Sequence, residues 1–201
     1  MKNRKSKTTL FSVVVVLFLF LTIIWQKIFP KRDNADDTSM TDDFKNTITI
    51  INPFMSAKKT AEAIIKKFEG LRLRAYLDTA GIPTIGYGTI VYSDGTRVKI
   101  TDVITKEKAE QEFQHHFSKF YTEVEQKLKV SVKDHQKAAL VSLAYNVGIS
   151  ALTRSTLWRK LHEQRPEKEI ADEFRKWVYA GGVVVQGLVN RRESERNLYL
   201  S

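Results

Sequence analysis

Near the start of the chain, Leu10 to Trp25 is an unbroken apolar run in which only Ser12 and Thr22 are polar. Extended to Phe29 the run covers twenty positions, close to the ~20 that a helix needs to cross a hydrocarbon layer of roughly 30 Å. A helix buried in a soluble core keeps a polar stripe, and LFSVVVVLFLFLTIIWQKIF has none. A cleavable leader calls for small residues just after the run, and TIIWQKIFPKR offers no such site. A segment able to slip back out of the bilayer would be diluted with Gly and Ala, which are absent between Thr8 and Phe29. These features predict one retained transmembrane signal-anchor at 10–29. Lys2, Arg4, Lys5 and Lys7 make 1–9 a basic head on the cytoplasmic side, although Lys27, Lys31 and Arg32 reduce the asymmetry from the other flank. The remainder is then expected on the outer, periplasmic side of the inner membrane.

Composition changes sharply after the run. PKRDNADDTSMTDDFKNTITIINPFM is rich in Asp, Asn, Ser and Thr, and it predicts a linker over 30–55 with one short apolar stretch, Ile48 to Ile51. Residues 56–201 are enough for one domain with its own core. The whole chain carries a net charge of +10, and 56–201 alone hold 25 basic against 18 acidic residues. That balance favours an anionic partner: nucleic acid, lipid headgroups or an anionic cell wall. Cysteine is absent, which removes disulfides, thiolate metal sites and cysteine nucleophiles.

Within 56–201 the periodicity changes twice. Ser56 offers an N-cap, and Ala61, Ile64, Ile65 and Phe68 recur at helical spacing until Gly70 ends the helix. From Leu71 to Ile100, short β-prone runs (RAYL, PTIGYGTI, TRVKI) alternate with turn residues and predict a small antiparallel sheet. From Thr105 onward the signals are helical to the end. Ala109, Phe113, Phe117 and Val124 share one face of the first of these helices, and Pro166 opens a later one. The expected class is α+β, mainly helical.

Residues 68–89, FEGLRLRAYLDTAGIPTIGYGT, concentrate chemistry-bearing side chains among glycines. Glu69 falls at a helix end, Asp78 at the end of a strand, and Thr84 in the next strand. A carboxyl on a helix facing a carboxylate on a strand-turn is how a cleft between helix and sheet would be lined. Inverting glycoside hydrolysis uses that layout: one carboxyl protonates the leaving oxygen, while the other, roughly 6.5–9.5 Å away, helps position water. A threonine hydroxyl can hold that water as donor or acceptor. Gly81, Gly86 and Gly88 permit tight turns and close approach of a ligand. The spacing of Glu, Asp and Thr also occurs by chance, and DTAG and GYG equally fit a plain hairpin turn and a strand kink.

The same stretch closely resembles the catalytic region of the phage-type lysozymes, the endolysins of glycoside hydrolase family 24. ALVSLAYNVGISALTRSTLWRKL is similar to that family's central helix and following segment, and W-x9-GLVNRRESERNLY, from Trp177, to its C-terminal signature. The resemblance covers about residues 56–201 and implies a lysozyme-like domain: an N-terminal helix, a small antiparallel sheet and a C-terminal helical bundle. It implies hydrolysis of the β-1,4 bond between N-acetylmuramic acid and N-acetylglucosamine in peptidoglycan, by a monomer without cofactor or metal. Glu69 matches the acid, Asp78 the second carboxylate, and Thr84 the threonine that helps hold the attacking water. Ile90, Tyr145 and Thr156 fall where relatives contact the sugar chain. Thr89 departs from the pattern, since many relatives have His after the GxG. The apolar N-terminus departs from soluble members and is closer to endolysins exported through a signal-anchor.

To donate a proton near neutral pH, Glu69 needs a raised pKa, from burial beside Phe68 or from a neighbouring carboxylate. Arg191 and Arg192 are candidate partners, yet RRESER interleaves acids with bases and predicts a solvated helix face. His115 and His116 are adjacent and diverge on a helix, so they cannot clamp one metal. Trp158 and Trp177 sit among apolar residues at helical spacing, as core residues do. Two enzyme-free alternatives stay open, a wall-binding module and a nucleic-acid binder, beside one enzymatic alternative, a lytic transglycosylase.

Overall fold

The first described helix follows directly from its apolar spacing. In the computed structural model, which describes residues 56–78 and 81–201, α1 spans Ala57–Glu69 and buries Ala57, Ala61, Ile64 and Ile65. Ser56 precedes it without making a side-chain capping bond. Gly70, at φ 68°, returns its N–H to the Lys66 carbonyl, a conformation that glycine adopts without the usual Cβ clash. The helix therefore ends with Glu69 as its last residue. The basic head, anchor and linker expected over 1–55 lie outside the described residues. Among the described ones, no helix is long and apolar enough to cross a membrane.

Strands β1 (Arg72–Leu77) and β2 (Pro83–Gly86) pair antiparallel, with Tyr76 opposite Thr84 and an irregularity between Arg72 and Tyr76. The expected sheet goes little further: Arg74–Val103, Ile85–Thr89 and Val91–Arg97 form isolated bridges, and TRVKI is not a strand. Side chains replace the missing ladder. Buried Glu112 accepts from the N–H and hydroxyl of Ser93, and His116 Nε2 meets the Val91 carbonyl at 3.1 Å.

Helix α2 (Lys106–Lys127) starts at Thr105, whose side chain accepts from the Lys108 N–H. Its apolar face is the expected one: Ala109, Phe113, Phe117 and Val124 are buried, and Phe113 stacks on Phe117 at 5.5 Å. Helix α3 (Asp134–Val147) is enclosed along nearly its whole length from Ala138 to Val147 and forms the centre of the bundle. Short helices α4 (Ile149–Thr153), α5 (Thr156–His162) and α6 (Glu167–Ala171) follow, then a 3-10 turn at Phe174–Lys176. Helix α7 (Gln186–Leu200) closes the chain against α3. Trp158 is buried in the main core and Trp177 packs against it.

Two expectations beyond Thr105 need correction. The helix that Pro166 opens does not run on to Trp177. It breaks after α6, so that Phe174 turns into the core while Glu173 is held by Lys160 and Lys176. Nor is the rest all helical: β3 (Tyr179–Ala180) and β4 (Val183–Val184) form a second hairpin. The two residues between them, Gly181 and Gly182, take φ of 58° and 81°, the left-handed pair that a tight hairpin turn demands. Consecutive valines then favour strand over helix. The class remains α+β and mainly helical, with two small antiparallel sheets.

Candidate active site

Glu69 emerges from the end of α1 with its side chain only 6% exposed and meets Arg191 Nη1 at 2.7 Å. Arg191 belongs to α7 and is itself buried. Its Nε reaches Glu195 Oε1 at 3.1 Å and its Nη2 donates to the Ser142 carbonyl at 3.2 Å. Arg192, on the next position, donates to Glu195 Oε2 at 2.5 Å and to Asn146 Oδ1. The Ser142 hydroxyl donates to Glu195 Oε1 at 2.6 Å. Arg191, Arg192 and Glu195 are thus fully enclosed between α7 and α3.

This overturns the reading of RRESER as a solvated face. Alternating signs on a helix suit water only when that face is left bare. Here α7 turns the face inward, and four charges pair with one another in place of solvent. Burial raises the Glu69 carboxyl above the usual carboxylate range, against the opposing charge and hydrogen bond of Arg191. Burial pushes Arg192 down to about 10, with Glu195 holding it up, so it stays cationic at neutral pH.

Asp78, 5% exposed, stands where β1 ends. Its Oδ1 accepts from the Ile82 N–H at 2.8 Å, and its backbone brackets the turn through Ile82 and Gly81. Thr84 lies in β2, fully buried, and its hydroxyl donates to the Ile82 carbonyl at 3.0 Å. That bond orients the hydroxyl, whose oxygen is itself an acceptor. Tyr76 links the two ends of the site: it faces Thr84 across the hairpin. Burial above all, then the negative charges of both Glu69 and Asp78, push its phenol up to about 12 against the pull of Arg72.

The three residues expected to touch a sugar chain sit on different elements. Tyr145, on α3, is buried against Phe113 and Phe120, and burial first and Glu69 second raise its phenol. Ile90 is half-buried in the loop after β2, its carbonyl accepting from the Val98 N–H. Thr156 is exposed in the first turn of α5. Among the described residues, no group of three or more His, Asp and Glu side chains could hold a metal ion. Ser142, Asn146, Glu195 and Tyr76 were not singled out by sequence reasoning. The spacing of Arg191 and Arg192 to Glu195 (i,i+4 and i,i+3) was a signal for the pairs, but it did not reveal their burial.

A helix ending in a buried acid, a two-stranded hairpin carrying a second carboxylate and a helical bundle behind them define a lysozyme-like domain. The chain belongs to the phage lysozyme family, which it matches over residues 66–195. The endolysin of Bacillus phage B103 is 44% identical over 148 residues, covering 73% of this chain and 55% of that protein. The chain thus spans about half the length of that relative. The SAR-endolysin of Enterobacteria phage P21 is 32% identical over 132 residues, 66% of this chain and 77% of the relative. Among solved structures, an endolysin from Escherichia coli O157:H7 phage FAHEc1 superposes with a TM-score of 0.67 at 39% identity, covering 75% of this chain and 97% of that one.

Proposed function

We propose that this protein is a peptidoglycan muramidase, cleaving the β-1,4 bond between N-acetylmuramic acid and N-acetylglucosamine. The observation that carries the reading is Glu69: a carboxyl held by one arginine, yet kept by burial above the ordinary carboxylate range, as a proton donor near neutral pH needs. Family membership supports the substrate class. With a glycan strand between helix and hairpin, Glu69 gives its proton to the glycosidic oxygen as the C1–O bond breaks. Water then adds to C1, passing a proton to Asp78 while donating a hydrogen bond to the Thr84 oxygen. Product analysis tests this. Digested peptidoglycan is expected to end in reducing muramic acid, each cut consuming one water. Ends of the 1,6-anhydro form would mean that the sugar closed on itself, and the hydrolytic reading would be lost.

The apolar run over 10–29 supports an enzyme tethered to the inner membrane by one segment, with 56–201 on the periplasmic side. The kinship with an SAR-endolysin agrees with export through such a segment. The basic surplus of 56–201 suits an anionic wall. When cells expressing the whole chain are fractionated, full-length mass and wall-digesting activity are expected together in the membrane fraction. A mature species beginning near residue 40 would overturn retention of the anchor.

A further inference from the structure

We infer that Glu195 is a positioning residue for Glu69: by occupying Arg191 and Arg192, it leaves Glu69 able to keep its proton. This rests on the reading of Glu69 as the acid. The geometry is a closed balance of two guanidiniums and two carboxylates, all with side chains 6% exposed or less. Arg191 divides its donors among Glu69, Glu195 and the Ser142 carbonyl. Arg192 spends two donors on Glu195 and Asn146. The Ser142 hydroxyl donates to Glu195 Oε1, the oxygen that Arg191 Nε also meets, and so helps to hold the carboxylate in place. Without the charge of Glu195, a single carboxylate would face both guanidiniums with little solvent to screen them, and it would be locked in its ionised form.

The other groups facing Glu69 do not compensate. Tyr145 from α3 and Tyr76 from β1 are both raised phenols and stay neutral through the working range. Around Glu69 itself, the charges of Arg191 and Arg192 favour the ionised form and that of Glu195 opposes it. Glu195 is thus the anion set against two cations.

The test follows the Glu69 side-chain carboxyl by carbon-13 NMR titration in the full chain, together with the pH dependence of kcat/KM on purified peptidoglycan. Glu195→Gln is expected to move the Glu69 titration and the alkaline limb of activity down by about 1–2 pH units, the effect being read from the position of the limb and not from the height of the plateau. Glu195→Asp, which keeps the charge, is expected to hold the limb at its native position. Arg192→Gln alone is expected to move it upward, and this variant carries the test if Glu195→Gln fails to fold. The double variant Glu195→Gln with Arg192→Gln is expected to bring the limb back toward the native value, a return that a merely structural role for Glu195 would not produce. An unmoved Glu69 titration in Glu195→Gln, or no return in the double variant, would overturn the inference. Were the titration to move as expected in a protein without turnover, the hydrolase reading would fall and the electrostatic one would stand.

Discussion

Glu69→Gln is expected to lower peptidoglycan turnover by roughly 10²–10⁴-fold while circular dichroism stays native. The amide matches the carboxyl in size but has no acidic proton to give the leaving oxygen. Arg191 keeps Glu195 and the Ser142 carbonyl as partners, so the surrounding packing has no reason to collapse. The variant also carries a pH signature in stability. Because the folded-state pKa of Glu69 is raised, the folded form holds a proton that the unfolded chain releases sooner. Its contribution to stability is fully present below the ordinary carboxylate pKa and is lost as pH rises through the raised one. Removing the group removes that slope, so the Tm of Glu69→Gln should gain on the native protein across this window. Turnover within tenfold of native would exclude Glu69 as the acid.

Arg191→Leu should cost about 3–5 kcal/mol of stability, read as a lower midpoint in urea, because it breaks a buried network and leaves the Glu69 carboxyl and the Ser142 carbonyl without their donor. Glu69 and Glu195 would then share the interior with Arg192 as the remaining guanidinium. Arg191→Lys should recover little. An ammonium cannot reach Glu69, Glu195 and the Ser142 carbonyl at once in the fork that the guanidinium presents. Part of the deficit in the leucine variant is expected to disappear in acid, where protonation relieves both carboxylates. A loss below about 1 kcal/mol would mean that the arginine contributes no more than an exposed surface pair.

Local patterns were legible wherever a few residues decide the outcome. The apolar period of 57–69 and Gly70 after it put Glu69 at a helix end, and the helix does end there. Thr105 and the Ala109–Phe113–Phe117–Val124 face specified α2 down to its buried residues. The turn after Asp78 and the placement of Thr84 in the second strand were also readable. TRVKI misled because its β-prone residues lie in a loop held by Glu112 and His116, on a helix later in the chain. The hairpin at 179–184 was hidden among helical signals, although its two glycines and three valines were the available cue.

Caps, turns and helical faces depend on neighbours within about one turn, so the amino-acid order alone determined where the two carboxyls and the threonine stand on their elements. It could not determine what surrounds them. Arg191 meets Glu69 across 122 positions, and the same RRESER helix in water would be an ordinary charged surface. Only the packing of α7 over α3 and the end of α1 removed the solvent, and loss of solvent is what raises the Glu69 carboxyl above its ordinary range.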